Sequence, residues 1–318
     1  MQSITFLSRV LASAVAATST FFWSGFWDSK TLNPCLTIDK QNHTLIANES
    51  EIKILQITDV QFSNYYEEVA AFKAIRATID KADPDLIIFT GDNLDNHSKA
   101  THLDSFISYM DGYKAPWALV MGNHDYHSDV SLEEQSQAYE ASEFCLFEKG
   151  EINDSYGNYS YTITYKNSPV FSLLFMDSKT DGFTKEHVSW YGKTIHSLKQ
   201  QGENLPNFLF YHIPTIETVY AANAYKENEI LGDGEMNEAP DKQTTDVGFF
   251  DSVVEMGATK AIFYGHDHLN NAFLHYRGIQ LCYGLKTGTN SYYRTRLQGG
   301  NLITLNVNGE FTVDRIYI

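Results

Sequence analysis

Five short apolar segments of this chain each end at polar residues that can bind a metal ion. The apolar segments have the length and composition of strands buried on both faces of a sheet. In open α/β sheets the loops diverge at the carboxyl ends of the strands and leave a crevice in which ligands bind. The chain therefore predicts one site at which five strand ends meet. The polar segments are Asp59-Val60-Gln61, Gly91-Asp92-Asn93, Gly122-Asn123-His124-Asp125, His212 and Gly265-His266-Asp267-His268.

The pattern around these segments indicates an α/β fold. Strand-length apolar runs cover residues 52–57, 86–89 and 117–120, with helical spacing over 67–81 and 101–113. This alternation predicts βαβ units and a parallel sheet. Farther along, the pattern predicts an antiparallel hairpin over 156–165 and 170–176, a helix over 185–201, short strands at 208–211 and 261–264, a long loop over 223–245, and further strands over 278–318.

The residue types in the polar segments suit a pair of divalent cations. Two cations about 3.5–4 Å apart repel each other and need a shared anion, which a bridging carboxylate can supply. Imidazole nitrogen and carboxylate oxygen suit Zn, Mn and Fe, and oxygen ligands also suit Mg. Water on such a cation loses a proton near pH ~7 in the case of zinc. We therefore expect two divalent metal ions, drawn from Mn, Zn, Fe and Mg, and a hydrolytic reaction.

The ordered set of segments resembles that of the calcineurin-like metallophosphoesterases, over residues 53–293. The resemblance implies an α/β fold with four layers, an α/β/β/α sandwich of two mixed sheets flanked by helices. Further segments are similar to the branch that holds Dcr2-type phosphatases and small purple-acid-phosphatase-like proteins. They are Gly157-Asn158-Tyr159, Tyr211-His212-Ile213-Pro214 and Gly284-Leu285-Lys286-Thr287-Gly288.

The same resemblance implies a role for each site residue. The first metal would bind Asp59, Gln61, Asp92 and His268, and the second Asp92, Asn123, His212 and His266. His124 would be the general acid or would hold the phosphate, and Asp125 would orient the ring of His124. The implied reaction is in-line attack on phosphorus by a metal-bound hydroxide.

Two positions depart from the family pattern. Gln61 stands where most relatives have His, which puts the identity or the affinity of the first metal in doubt. Asp95 stands where purple acid phosphatases have Tyr, so we expect no purple iron colour.

The charge balance limits the partners. Forty acidic residues against 23 basic ones give a formal net charge of -17. Such a surface repels nucleic-acid backbones, so we expect no nucleic-acid partner. We expect instead a small phosphorylated substrate or a phosphoprotein.

The N-terminal part differs in composition from the rest. Residues 10–27 carry no charged side chain, which favours a signal sequence or a membrane anchor over residues 1–27. A buried or disordered N-terminal extension is the alternative. Residues 28–50 are polar and predict a linker with at most one short hairpin, followed by the phosphoesterase domain over 51–318. The expected location is therefore secreted or membrane-anchored outside the cytoplasm.

The function that these observations favour is a dinuclear metal-dependent phosphomonoesterase. A cyclic-nucleotide phosphodiesterase, another phosphodiesterase or a diphosphatase is the nearest alternative. A nuclease is disfavoured by the negative charge. From another class, a non-catalytic binding protein that keeps the fold remains open because of Gln61.

Overall fold

The computed structural model describes residues 31–201 and 205–318. Two mixed β-sheets form its centre, one of nine strands and one of five. The strands are β1 (Leu36–Asp39), β2 (Thr44–Ala47), β3 (Glu51–Ile57), β4 (Leu86–Thr90), β5 (Trp117–Val120), β6 (Tyr159–Tyr165), β7 (Ser168–Phe175), β8 (Asn207–Phe210), β9 (Gly232–Asp233), β10 (Thr259–Tyr264), β11 (Phe273–Tyr276), β12 (Ile279–Tyr283), β13 (Gly299–Asn306) and β14 (Phe311–Tyr317).

Seven α-helices surround the sheets within the described residues. They are α1 (Tyr65–Ala82), α2 (Ala100–Asp111), α3 (Asn123–Tyr126), α4 (Leu132–Ala141), α5 (Lys185–Gln201), α6 (Ile216–Lys226) and α7 (Phe249–Met256). Two short 3-10 turns, Lys40–Asn42 and Thr295–Leu297, complete the regular structure.

The five-stranded sheet has the order β14-β13-β3-β4-β5. Its strands β3, β4 and β5 are parallel neighbours, which confirms the βαβ units that the sequence predicts. Every residue of β4 is buried, as expected for a central strand covered on both faces. The three parallel strands therefore end at the same edge, where Asp59, Gly91 and Gly122 follow them.

The nine-stranded sheet has the order β1-β2-β6-β7-β8-β10-β12-β11-β9. Its central strands β7, β8, β10 and β12 are parallel, so β8 and β10 deliver His212 and His266 to one edge. The predicted hairpin of β6 and β7 is present and antiparallel. Together the two sheets bring five strand ends to one region.

The short hairpin that the sequence allows within the predicted linker over residues 28–50 is present. Strands β1 and β2 pair with each other, and β2 also pairs in parallel with β6, so Thr44 lies opposite Thr162. The polar composition of this segment is that of an exposed edge hairpin, and only the pairing with a strand more than 100 residues away shows its place. Strands β1 and β2 are thus part of the larger sheet.

The two sheets face each other and the helices lie outside. The Tyr159 hydroxyl of β6 donates to the Leu119 carbonyl of β5 over 2.7 Å, and the rings of Phe208 and Phe311 lie 4.9 Å apart across the sheets. Helix α1 packs on β3, β13 and β14, whereas α6 packs on β11 and α7 on β10. The predicted α/β/β/α sandwich is confirmed.

The helices begin and end at recognisable caps. The Asn64 side chain accepts hydrogen bonds from the first amides of α1, and Asp83 ends this helix in the left-handed conformation. Helix α6 extends into the predicted loop over 223–245, and the two-residue strand β9 lies within it. Both differences are local, because the remainder of 227–245 is irregular.

The predicted signal sequence or anchor over 1–27 lies outside the described residues. Among the described helices, none combines the length and the apolar character needed to cross a bilayer. Cys35, Cys145 and Cys282 are buried free thiols.

Candidate metal centre

The strand ends bring carboxylates and imidazoles into two adjoining clusters. The first cluster is Asp59, Asp92 and His268, and the second is Asp92, His212 and His266. Within each cluster the candidate ligand atoms lie within 4.8 Å of one another. Asp92 belongs to both clusters, the position in which a shared carboxylate would bridge two cations.

The backbone at these strand ends is held in unusual conformations. Asp59, Asp92 and His266 all have positive φ, at 53°, 50° and 73°. Non-glycine residues rarely adopt this conformation, which costs about 1–3 kcal/mol at each position and is typical of functional sites.

Glycine is required beside these bends because the chains approach closely. A Cβ atom on Gly91 would lie 2.5 Å from the ring of His212, and one on Gly122 would lie 2.3 Å from the backbone nitrogen of Asp92. Gly91 also has a φ of +91°. These glycines allow His212 and Asp92 to meet.

The second cluster has the donor set of a metal site. His212 Nδ1 lies 2.8 Å from the Thr90 carbonyl oxygen, which leaves Nε2 directed into the cluster. There Nε2 lies 3.1 Å from Asn123 Oδ1, 3.3 Å from Asp92 Oδ1 and 3.3 Å from His266 Nδ1. A cation would satisfy these converging lone pairs, so Asp92, Asn123, His212 and His266 fit the predicted second metal.

Asp92, His212 and His266 affect one another's charge in the second cluster. Burial works against a charge on His212, but the Asp92 carboxylate raises the pKa of His212 to about 9. Burial and the neighbouring His212 lower the pKa of His266, which keeps that imidazole neutral and able to bind a metal.

The first cluster offers three donors. Asp59 Oδ1 is buried without a hydrogen-bond donor among the described residues and lies 3.4 Å from His268 Nε2. His268 Nδ1 lies 2.9 Å from the Tyr292 carbonyl oxygen, so its Nε2 faces the cluster. The orphaned oxygen of Asp59 and the nitrogen of His268 therefore fit a cation shared with Asp92.

Gln61 lies beside the first cluster but turns its oxygen away from it. Gln61 Oε1 accepts a hydrogen bond of 2.6 Å from Lys286 Nζ, and Gln61 Nε2 donates to Asp92 Oδ2 over 3.2 Å. In this arrangement the amide oxygen faces the Lys286 ammonium, and the ligand role that the resemblance implies for Gln61 stays a prediction.

Lys286 is buried in the site. Burial lowers the pKa of Lys286 to about 8, and the nearby carboxylates of Asp59, Asp92 and Asp95 oppose that effect. Sequence reasoning singled out Lys286 only within a family-like segment. Lys286 and Gln61 are more than 200 residues apart in the sequence, so the local sequence pattern does not predict their contact.

His124 lies at the edge of the clusters and is oriented by Asp95. Its Nδ1 lies 2.7 Å from Asp95 Oδ1, and its Nε2 lies 3.9 Å from Asp92 Oδ2. Burial would lower the pKa of His124, but the hydrogen bond to Asp95 and the Asp92 charge raise it overall. Asp95 also accepts a hydrogen bond from the Asn290 side chain, which fixes its carboxylate.

The hydrogen bonds of Asp125 are with backbone amides, and the role in orienting His124 that the resemblance implies for it stays a prediction. Asp125 is fully buried and accepts hydrogen bonds from the backbone amides of Gly122, Asn93 and Leu94 at 2.8, 3.2 and 2.9 Å. Its carboxylate is therefore committed to the two loops that follow β4 and β5. Asp125 shapes these loops, and Asp95 is the partner of His124 that the sequence reasoning missed.

An α/β/β/α sandwich with adjoining Asp/His clusters at its strand ends is the architecture of the metallophosphoesterases. The family model for calcineurin-like phosphoesterases matches residues 52–270. The chain belongs to the calcineurin-like phosphoesterase family.

Individual relatives agree with this assignment. "Probable inactive purple acid phosphatase 28" of Arabidopsis thaliana is 28% identical over 295 residues, which cover 78% of this chain and 73% of the relative. Phosphatase DCR2 of Saccharomyces cerevisiae is 25% identical over 283 residues, covering 75% of this chain and 48% of the relative. A crystal structure of a dimetal phosphatase from Danio rerio shares the fold, with a TM-score of 0.55 at 12% identity, covering 83% of this chain and 95% of that one.

Proposed function

We propose that this protein is a metal-dependent phosphomonoesterase whose active site is the pair of clusters around Asp92. One observation carries the proposal. Asp92 joins two clusters of metal-competent side chains, and the ring of His124, held by Asp95, lies beside it. Bound at these clusters, divalent cations would neutralise phosphate charge and lower the pKa of a water molecule. The mixture of carboxylate, amide and imidazole donors suits Mn, Zn or Fe, and less well Mg.

His124 is the group best placed to move a proton. Its Nδ1 is engaged by Asp95, so the other ring nitrogen faces the site. Burial lowers the pKa of His124, but the hydrogen bond to Asp95 and the charge of Asp92 raise it overall, which favours the imidazolium form. His124 would therefore donate a proton to the leaving oxygen of the ester, or a hydrogen bond to the phosphate before cleavage.

A phosphomonoester is the preferred substrate class, as a small molecule or on a phosphoprotein. The net charge of -17 disfavours a nucleic-acid substrate. Phosphodiesters, cyclic nucleotides and diphosphates form the alternative substrate class. The uncharged segment at residues 10–27 supports export, with the protein secreted or attached to a membrane through that segment.

The test is hydrolysis of p-nitrophenyl phosphate by protein loaded with Mn²⁺ or Zn²⁺, compared with bis-p-nitrophenyl phosphate and plasmid DNA. His124→Ala should lower the rate by at least about 100-fold, since it removes a general acid. His127→Ala is the matched control, because His127 is exposed only three residues away and has no partner in the clusters. Equal rates for the two variants would contradict the role of His124, and faster cleavage of the diester would favour the alternative substrate class.

The second candidate is a binding protein without catalytic activity. It is supported by the turned amide of Gln61 and by the name of the Arabidopsis relative, which is called probably inactive. Phosphate binding to the metal-loaded protein, without turnover of any ester in the comparison above, would favour this candidate.

A further inference from the structure

Lys286 is fixed beside the first cluster by its backbone. Residues 286–288 run alongside the segment that follows β3, where Thr58 and Lys286 form an isolated parallel bridge. The Gly288 amide donates to the Asp59 carbonyl over 3.3 Å, and a Cβ atom on Gly288 would lie 1.9 Å from the Val60 carbonyl oxygen. The two segments are therefore in close contact, which fixes the backbone of Lys286 beside the first cluster.

The side chain of Lys286 enters the site and is 1% exposed. Its Nζ donates to the Asp59 carbonyl over 2.9 Å and to Gln61 Oε1 over 2.6 Å. An ammonium group has donors and no acceptor, so it can face only the oxygen of the Gln61 amide. The Gln61 NH₂ group must then face Asp92, which it does at 3.2 Å from Oδ2.

We infer that Lys286 makes the two metal positions unequal, by holding the Gln61 oxygen away from the first cluster and by placing a positive charge beside it. The second cluster keeps four donors, Asp92, Asn123, His212 and His266. The first keeps three, Asp59, Asp92 and His268, next to a fixed cation. The second position therefore fills first and tightly, and the first position fills only at higher metal concentration.

This inference rests on the proposed metal centre and specifies its stoichiometry. Two effects act in the same direction at the first position, namely the lost amide ligand and the repulsion between the ammonium and a divalent cation. Changes in groups that orient metal ligands commonly alter metal affinity by about 10- to 100-fold. We expect the two Mn²⁺ dissociation constants of the natural protein to differ by at least about tenfold.

The experiment is a titration of metal-free protein with Mn²⁺, followed by electron paramagnetic resonance. A single bound Mn²⁺ gives an uncoupled six-line spectrum, whereas two neighbouring ions give an exchange-coupled spectrum. The natural protein should show uncoupled Mn²⁺ up to about one equivalent and coupled ions only well beyond it. Lys286→Met removes the charge and frees the Gln61 oxygen, so coupled ions should appear at about tenfold lower free Mn²⁺.

Lys260→Met is the matched control, since Lys260 is an exposed lysine at the opposite end of β10 from His266. It should leave the titration unchanged. Coupled ions from the first additions of metal to the natural protein, or identical titrations of the natural and Lys286→Met proteins, would overturn the inference while leaving the metal centre intact. Absence of bound Mn²⁺ from the natural protein would overturn the metal centre as well.

A second variant keeps the test decisive if Lys286→Met does not fold. Gln61→Met removes the amide but keeps Lys286. The lost hydrogen bond to Asp92, which belongs to both clusters, should change the two Mn²⁺ dissociation constants by a similar factor, so their ratio should stay within about twofold of the natural ratio. A loss of about tenfold or more at the first position alone would show that the Gln61 oxygen binds the metal, which contradicts the inference.

Discussion

His124 Nδ1 and Asp95 Oδ1 lie 2.7 Å apart, and the Asn290 side chain holds Asp95 from the other side. Asp95 thus sets both the orientation and the charge of the imidazole. A half-buried carboxylate such as that of Asp95 next to a histidine favours the imidazolium form, which is the form that can donate a proton. The pair joins helix α3 to the loop after β4, and the Asn290 hydrogen bond joins that loop to the loop around residue 290.

We expect Asp95→Asn to reduce kcat for an aryl phosphate by about 10- to 100-fold. Loss of the carboxylate lowers the pKa of His124, so the alkaline limb of the kcat profile should move to lower pH. The check is a pH-rate profile in Mn²⁺. Asp129→Asn is the control, because Asp129 pairs with the exposed His97 over 3.4 Å, and its profile should match that of the natural protein. An unshifted alkaline limb in Asp95→Asn would argue against His124 as the acid.

Asp125→Asn should act on stability and leave the shape of the pH profile unchanged. The amide retains one acceptor, and its NH₂ group would face the backbone amides of Gly122, Asn93 or Leu94. Leaving such buried donors unsatisfied costs about 2–3 kcal/mol. Urea unfolding of the metal-free protein measures this loss. A shifted pH profile with unchanged stability would instead restore the proton-transfer role that the resemblance implies.

Gly91→Ala should displace His212 and weaken metal binding at the second cluster. The new Cβ would lie 2.5 Å from the His212 ring at a φ of +91°. Backbone strain and overpacking together should lower the free energy of unfolding by about 3 kcal/mol or more. Gly278→Ala is the control. The φ of Gly278 is +83° and no atom lies within 4 Å of an added Cβ, so this variant measures the backbone strain without the overpacking. Equal losses of stability and equal Mn²⁺ affinities in the two variants would contradict the close packing of Gly91 and His212.

The buried His187 should make the fold sensitive to acid. Burial, followed by the charge of Lys179, lowers the pKa of His187 from 6.5 to about 4. Between these values the unfolded chain binds a proton that the folded protein does not, so the free energy of unfolding falls as the pH falls. From pH 7 to 5.5 this group should contribute a loss of about 1 kcal/mol.

His187→Gln should lose less free energy of unfolding than the natural protein between the two pH values, by the amount that His187 contributes. Urea unfolding at both pH values measures this difference. His196→Gln is the control, since His196 is exposed on the same helix α5. The prediction fails if the natural protein and His187→Gln lose the same free energy of unfolding between the two pH values.

Much of the centre could be predicted because its residues sit directly after strands. A buried strand such as β4, followed by Gly91 and Asp92, can be recognised from neighbouring residues in the sequence alone. Parallel pairing of such strands then brings their ends together. The first hairpin was less visible, because its pairing with β6 depends on residues far along the chain. Edge strands and linkers are both polar in composition, so composition alone does not distinguish them.

The roles of Gln61, Asp95 and Asp125 show where sequence reasoning stopped. Motif position identifies Gln61 and Asp125 as site residues and Asp95 only as a departure from the family pattern, and it does not show which hydrogen bonds the three make. The oxygen of Gln61 accepts a hydrogen bond from Lys286, which lies in a distant segment of the sequence. The carboxylate of Asp125 accepts hydrogen bonds from backbone amides of two loops. These partners are fixed by tertiary packing, which a spacing pattern does not encode.

The most direct test of the metal centre follows bound Mn²⁺ and phosphate release on the same samples of natural protein and Asp92→Asn. Asp92 belongs to both clusters, so its loss should reduce Mn²⁺ binding at both positions and abolish hydrolysis of p-nitrophenyl phosphate. In the natural protein, activity should rise with bound Mn²⁺ and disappear with EDTA. Phosphate release by Asp92→Asn at the natural rate, or by EDTA-treated natural protein, would contradict a metal-dependent site at Asp92.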